Sequence, residues 1–134
     1  MPTARSEVHE IRSSDDVVRI RQQVRAFAIE AGLSLVDQTK IITAASELAR
    51  NTLDYGGGGN ATIELIREGP RAGVRLIFED RGPGIADIEQ AMQDGFTTGS
   101  GLGLGLGGAK RLSNEFSIHS KVGEGTRICI ARWK

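Results

Sequence analysis

A carboxylate and an amide one helical turn apart, Glu47 and Asn51, have residue types and spacing that could do chemistry together. At about 100° per residue both lie at the flank of the apolar stripe that precedes them, within roughly 40° of each other. A carboxylate can accept a hydroxyl proton as a general base, and an amide oxygen can hold Mg²⁺ beside phosphate oxygens. Such a pair is also common on solvated helix surfaces, so the spacing alone leaves both interpretations open.

Residues 99–108, which read GSGLGLGLGG, form a second candidate, a backbone site for phosphate. Glycine lets a chain approach a ligand closely, but it loses more freedom on folding than any other residue. The stretch runs into Ala109 and Lys110, where the residue types favour a helix, and the free N–H groups at the start of a helix bind anions. A flexible linker is the alternative, although the interspersed leucines argue against it because flexible linkers are usually polar.

Three better-known phosphate loops do not fit this stretch. Gly103, Gly105 and Gly108 match the spacing of the dinucleotide fingerprint, but they follow no clear predicted strand and open no βαβ unit. A Walker loop requires Lys and then Ser or Thr after its last glycine, whereas Ala109 and Lys110 follow here. The strand and Asp-Phe-Gly motifs of the protein-kinase fold are absent from the chain.

A third group of polar residues follows an apolar strand that ends in Phe78. Asp80 is followed by Gly82 and Gly84, which bracket a proline and predict a rigid turn that a ligand can approach closely. Asp80 could accept a hydrogen bond from the exocyclic amine of a base, and a solvated aspartate in an ordinary turn is the alternative. Residues 123–126, Gly-Glu-Gly-Thr, indicate by themselves only a hairpin turn.

The elements that must position these groups follow from hydrophobic periodicity and capping signals. Most strands fall in predicted hairpins, and the helices suffice to cover one face of a sheet only. We therefore predict an α+β fold, a two-layer sandwich of a mixed, mostly antiparallel sheet with helices on one face, in a single domain spanning residues 1–134. The predicted strands are 7–12, 61–67, 73–79, 115–120 and 126–133, and the predicted helices are 15–31, 35–55, 87–93 and 107–112.

Composition excludes several classes of function. Lys plus Arg and Asp plus Glu number 17 each in 134 residues, so charge predicts no general attraction to nucleic acid or to a membrane surface. No apolar run approaches the roughly 18 residues of a membrane helix, and we expect a cytoplasmic protein. The single cysteine, Cys129, allows no disulfide framework, and its alternating apolar neighbours place it in the predicted core.

Taken together and in order, four stretches resemble the GHKL ATPase superfamily, which has the Bergerat ATP-binding fold found in gyrase, Hsp90, MutL and histidine kinases. Residues 47–51 resemble its N box, residues 80–84 its first glycine box, residues 101–108 its second, and residues 123–126 its last. The order and the compatible spacing of the four carry the resemblance, because each string alone is common.

Within that superfamily the chain is similar to the small anti-sigma-factor serine/threonine kinases, and most of all to switch kinases of the RsbT type that work with the stressosome. This likeness covers about Val8 to Trp133 and rests on residues 46–51, 79–85, 94–96, 110–112 and 120–126. Leu104 and Gly107 depart from those kinases, which tend to have a small residue and a proline there. The departure bears on how a lid over the nucleotide closes.

The resemblance implies a role for each matching residue. Glu47 would be the catalytic base, and Asn51 would bind the nucleotide as the ligand of its Mg²⁺. Asp80 would hold the adenine amine of ATP, with help from Thr126 and from the turn at Gly82 and Gly84. The phosphates would be wrapped by the glycine stretch, with a further basic candidate after it: Gly99, Gly101, Gly103, Gly105, Gly107, Gly108 and Lys110.

The resemblance further implies a serine/threonine protein kinase that uses ATP and Mg²⁺ to phosphorylate STAS-domain partners, the scaffold or antagonist subunits of a stressosome-like module. After release it would activate a downstream effector such as a phosphatase. An alternative is a binding module that holds nucleotide with little turnover and sequesters a sigma factor or an effector. A histidine-kinase fragment would require a phosphoacceptor histidine, whereas His9 and His119 both fall in predicted strands.

Overall fold

The structure, a computed structural model, describes residues 3–85, 87–92 and 105–134. Every predicted strand and helix is found in it, with bounds that differ by a few residues, and the last residue of the predicted helix 87–93 lies outside the described residues. The elements are β1 Thr3–Ile11, α1 Ser14–Glu30, α2 Leu35–Asp54, β2 Gly59–Glu68, β3 Arg71–Asp80, α3 Ile88–Ala91, α4 Gly105–Arg111, β4 Glu115–Lys121 and β5 Gly125–Trp133.

The five strands form one sheet in the order β1-β2-β3-β5-β4. Within the described residues all four strand pairings are antiparallel, so the antiparallel character of the predicted sheet is confirmed and its predicted mixed character is wrong. The strand β5 lies between β3 and β4, so β3 and β5 are neighbours in the interior of the sheet. In that pairing Asp80 stands directly opposite Thr126.

The main core lies between one face of the sheet and the helices α1 and α2. Val17, Ile20 and Val24 recur at helical spacing along α1 and are buried, and Ile63 and Leu76 are fully buried on the facing strands. The predicted α+β sandwich with helices on one face is therefore confirmed. In the described residues, no helix combines the length and the apolar character needed to cross a membrane.

The opposite face of the sheet holds a small second cluster, which contains Ile66 and Trp133. Cys129 lies half-buried on this face, so its predicted place in the main core is wrong. Side chains alternate along a strand, and because Ile128 and Ile130 are buried in the main core, the cysteine between them points away from the helices. Partial burial raises the pKa of its thiol.

The start of α2 is fixed by its cap and by an ion pair. The Ser34 Oγ accepts a hydrogen bond from the Asp37 backbone N–H at 3.1 Å, as the capping pattern predicts. The Asp37 carboxylate accepts a hydrogen bond from the Arg132 guanidinium at 2.9 Å, which ties the first turn of α2 to the end of β5. This arrangement anchors one end of the helix that carries Glu47 and Asn51.

This ion pair predicts a pH-dependent contribution to stability. The hydrogen bond from Arg132 holds the pKa of Asp37 below its usual range. A carboxyl with a depressed folded-state pKa stabilises the fold above its unfolded pKa of about 3.9, and this stability is lost as the pH falls through the folded-state pKa. We expect Asp37→Asn to lower the free energy of unfolding at neutral pH by about 1–2 kcal/mol.

Urea denaturation of both proteins at a series of pH values measures this effect. The difference between them should shrink as the solution is acidified below pH ~4. Asp15→Asn removes an exposed first-turn acid of α1 and is the matched control. A difference that stays constant down to the lowest pH would contradict the ion-pair explanation.

Candidate functional site

A cavity of about 380 Å³ opens among the end of α2, the end of β3, the start of β5, the turn after β3 and the start of α4. This volume falls in the range of small-molecule sites. The cavity brings together Asn51, Asp80, Gly84, Gly105 and Thr126, which the sequence predicts as site residues. Its other lining residues are mostly apolar: Thr52, Asp54, Tyr55, Gly56, Phe78, Pro83, Ile85, Ala91, Leu106 and Ile128.

Asp80 lies at the end of β3 with its carboxylate on the cavity wall. Its Oδ1 accepts a hydrogen bond from the Gly82 N–H at 2.8 Å. Burial raises the pKa of Asp80, while hydrogen bonds from the backbone of Gly82 and Thr126 favour its charged form. A ligand that brings a hydrogen-bond donor, such as an amino group, would stabilise a partly desolvated carboxylate in this position.

Gly56 and Gly82 allow Asp80 to pack closely against the end of α2. A Cβ on Gly56 would be 2.4 Å from the Asp80 Cγ, and a Cβ on Gly82 would be 2.7 Å from the Gly56 Cα. Gly82 therefore contributes by close packing and by its N–H. Gly56 is a candidate site position that the sequence analysis missed, because a run of glycines directly after the predicted helix 35–55 indicates only that the helix ends there.

The turn after β3 is held against the turn between β4 and β5. Gly84 has φ +76°, and a Cβ there would be 2.1 Å from the Lys121 carbonyl oxygen. The Gly123 N–H donates a hydrogen bond to the Pro83 carbonyl oxygen at 2.8 Å. The first and last glycine boxes thus form one packed unit at the cavity wall.

Ser120 belongs to the stretch 120–126 that carries the resemblance, but the sequence analysis assigns it no role. Its Oγ accepts a hydrogen bond from the Ile85 N–H at 2.9 Å, lies 3.0 Å from the Gly125 carbonyl oxygen and lies 2.8 Å from the Thr126 Oγ1. The signal was present, since a hairpin centred on Gly123 places Ser120 opposite Thr126. Ser120 therefore connects the turn after β3 to the Thr126 side chain.

Glu47 and Asn51 lie on the face of α2 that meets α4. Glu47 is only 4% exposed, and its Oε1 accepts a hydrogen bond from the Gly105 N–H at 2.9 Å. Asn51, one turn later, is half-buried and lines the cavity. The interpretation of Glu47 as a solvated surface residue is therefore excluded.

The helix α4 begins at Gly105, two residues earlier than predicted, where the glycine adopts φ +60°. Gly105, Gly107 and Gly108 are all buried, and α4 packs against α2. Gly99, Gly101 and Gly103 lie outside the described residues, as do Leu104 and residues 94–96. For those glycines, contact with phosphate stays a prediction.

Lys110 lies in the last turn of α4 and is exposed. It is not among the described residues that line the cavity, and its proposed contact with phosphate stays a prediction.

His9 is partly buried in β1 and its Nε2 lies 3.0 Å from Glu7 Oε1, while His119 is exposed in β4. Both histidines lie in strands, as predicted.

Comparison with known proteins agrees with this geometry. Residues 36–134 match the family described as histidine kinase-, DNA gyrase B-, and HSP90-like ATPase. Serine/threonine-protein kinase RsbT of Bacillus subtilis (strain 168) is 50% identical over 118 residues, which cover 88% of this chain and 89% of that protein. An anti-sigma F factor of Anoxybacillus flavithermus is 35% identical over 81% of this chain and 77% of that protein.

Solved structures share the fold at low sequence identity. The RsbU and RsbW domains of Rv1364c from Mycobacterium tuberculosis match with a TM-score of 0.64 at 20% identity, over 96% of this chain and 32% of that chain. The mycobacterial sensor histidine kinase MprB matches with a TM-score of 0.54 at 16% identity, over 96% of this chain and 97% of that chain. The chain therefore belongs to the family of histidine kinase-, DNA gyrase B- and HSP90-like ATPases, and within it to the serine/threonine kinases of the RsbT type.

Proposed function

We propose that this protein transfers the γ-phosphoryl group of Mg-ATP to a serine or threonine of a STAS-domain partner, and that it then activates a downstream effector such as a phosphatase. The observation that carries the proposal is the position of Glu47. Its buried carboxylate accepts a hydrogen bond from the start of α4 and lies one helical turn before Asn51, whose amide lines the cavity. Because ATP is the phosphoryl donor, we expect the protein to act in the cytoplasm.

The adenine end of the cavity supports the choice of nucleotide. Asp80 and Thr126 stand opposite each other on neighbouring strands, and both line the cavity. Apolar walls formed by Phe78, Ile85 and Ile128 suit a flat ring. A half-buried carboxylate beside those walls favours a base that presents an amino group.

The residues present also fit a magnesium ion bound with the nucleotide. Asn51 lines the cavity with an amide side chain, and Mg²⁺ usually takes only one or two protein ligands beside phosphate oxygens and water. In the described part of the chain, no three His, Cys, Asp or Glu side chains group closely enough to hold a metal by themselves. Bound Mg²⁺ would offset the charge of the phosphates.

Glu47 is the general base in this proposal. It accepts the proton of the partner's hydroxyl as that oxygen forms a bond to the γ-phosphorus and the bond from the γ-phosphorus to ADP breaks. The hydrogen bond from Gly105 fixes one carboxylate oxygen, so the side chain does not have to be ordered during the reaction. The remaining catalysis is positioning and electrostatic stabilisation.

The class of partner is supported by the likeness of residues 46–51 and 120–126 to RsbT-type switch kinases. A second function, the sequestering of a sigma factor with little turnover, is favoured by the anti-sigma F factor relative. A protein that only holds nucleotide has no need of a buried and hydrogen-bonded Glu47, and we therefore favour the kinase.

The proposal is tested by mixing the purified protein with Mg-ATP labelled at the γ-phosphate and with each of a panel of purified STAS-domain proteins. We expect phosphoserine or phosphothreonine on the STAS domain, located by mass spectrometry. Calorimetry on the same samples reports binding of ATP and of the partner. Binding of both without transfer would overturn the kinase and favour the sequestering module.

A further inference from the structure

The hydroxyl group of Ser120 lies at the centre of three polar contacts beside the cavity. Its Oγ is 2.9 Å from the Ile85 N, 3.0 Å from the Gly125 O and 2.8 Å from the Thr126 Oγ1. Ser120 itself is not among the residues that line the cavity, whereas Thr126 is. Within this cavity, an effect of Ser120 on a bound base therefore passes through its neighbours, while Ser120 itself lines an adjoining cleft together with Asp80 and Thr126.

The chemistry of the three partners determines where the two hydroxyl protons lie. A backbone N–H can only donate and a carbonyl oxygen can only accept. Ser120 therefore accepts from Ile85 and uses its single proton on Gly125. Its contact with Thr126 is then a hydrogen bond only if the Thr126 hydroxyl donates its proton to Ser120. This is the one assignment in which all three contacts are hydrogen bonds.

We propose that Ser120 is a positioning residue. By accepting the hydrogen bond from the Thr126 hydroxyl, Ser120 directs that proton away from the cavity, so that the Thr126 Oγ1 can only accept a hydrogen bond from the base. The Asp80 carboxyl oxygens and the Thr126 Oγ1 then form one edge of the cavity that accepts hydrogen bonds. Where it faces position 6 of a purine, such an edge favours adenine, whose 6-amino group offers two N–H donors, over hypoxanthine, whose 6-oxygen only accepts. This inference rests on the proposed binding of a purine nucleotide.

The same contacts connect this edge to the turn after β3. The Ile85 N–H that donates to Ser120 directly follows Gly84, whose close approach to the Lys121 carbonyl fixes the turn. Ser120 thus responds to the position of the turn and sets the direction of the Thr126 hydroxyl. When the directions of hydroxyl protons in a site are fixed, a base with the wrong donors and acceptors leaves polar groups of the site without hydrogen-bond partners, and it binds more weakly.

The test is the ratio of the affinities for ATP and inosine triphosphate, measured by calorimetry with Mg²⁺. The two nucleotides differ only at position 6 and N1 of the purine ring, which carry a 6-amino group and an unprotonated N1 in ATP but a 6-oxygen and an N1–H in inosine triphosphate. The wild type should prefer ATP. Ser120→Ala frees the Thr126 hydroxyl to donate into the cavity, so the preference should fall about fivefold to tenfold. Ser120→Thr keeps a hydroxyl and should retain most of the preference.

Two further variants keep the result interpretable. Ser117→Ala removes an exposed serine from the same strand and should leave the ratio unchanged. In a Thr126→Val background, Ser120→Ala should change the ratio no further if Ser120 acts through Thr126. A Ser120→Ala protein that loses affinity for both nucleotides by the same factor would overturn the inference but not the proposed function. A wild type that binds neither nucleotide would overturn both.

Discussion

Glu47→Gln is expected to slow phosphoryl transfer to the partner by about 10²–10⁴-fold while ATP binding changes little. Glutamine cannot accept the hydroxyl proton as a carboxylate does, but its amide oxygen can still accept the hydrogen bond from the Gly105 N–H. The substitution therefore removes the proposed chemistry and keeps the contact between α2 and α4. Single-turnover transfer of labelled phosphate measures the rate, and calorimetry measures the affinity for Mg-ATP.

The control for this variant is Glu68→Gln, which changes an exposed carboxylate at the end of β2, away from the cavity. It should leave both the rate and the affinity as in the wild type. Glu47→Gln with full transfer would show that another group takes the proton. Equal losses of rate and of ATP affinity would instead assign Glu47 a structural role in holding α4.

Gly84→Ala is expected to weaken ATP binding by about 10–100-fold, because the added methyl group would be forced against the Lys121 carbonyl oxygen. Relief of that overlap requires the turn after β3 to move away from the hairpin turn between β4 and β5. Movement of the turn would shift Ile85 and break its hydrogen bond to Ser120. Calorimetry with ATP and thermal denaturation by circular dichroism separate loss of binding from loss of fold.

Gly123→Ala is the matched control for Gly84→Ala. Gly123 also has positive φ, at +83°, but a Cβ there would meet nothing within 4 Å. This variant should carry only the conformational cost of a left-handed alanine, about 1–2 kcal/mol of stability, and should bind ATP nearly as well as the wild type. Equal loss of ATP affinity in both variants would mean that backbone strain, rather than the contact with Lys121, decides binding.

The parts of this molecule that the sequence predicts are those governed by local pattern. Helical periodicity predicts that Glu47 and Asn51 lie together at the flank of the apolar stripe of α2. The place of Asp80 between an apolar strand and a glycine-rich turn predicts its position in the site. Each of these signals lies within a few residues of the position that it predicts.

The parts that the sequence analysis missed depend on contacts between distant segments. Gly56 matters because Asp80 packs on it, and a run of glycines after a helix gives no sign of that neighbour. Ser120 matters because hairpin register sets it against Thr126, while the turn after β3 brings Ile85 to it. Cys129 was misplaced for a related reason, because alternation shows that a residue differs in orientation from its neighbours without showing which face of the sheet is covered.

Different kinds of contact hold the two ends of the candidate site, the end with Asp80 and Thr126 and the end with Glu47. Asp80 and Thr126 are set in register on two interior strands, each hydrogen-bonded to neighbours on both sides. In the part of the chain that the structure describes, Glu47 is hydrogen-bonded to α4 through one backbone amide, that of Gly105. In hydrogen exchange, amides of the strand interior should be protected far longer than the Gly105 amide. Substitutions at the start of α4 should therefore change the proposed phosphoryl transfer more readily than they change the proposed binding of the base.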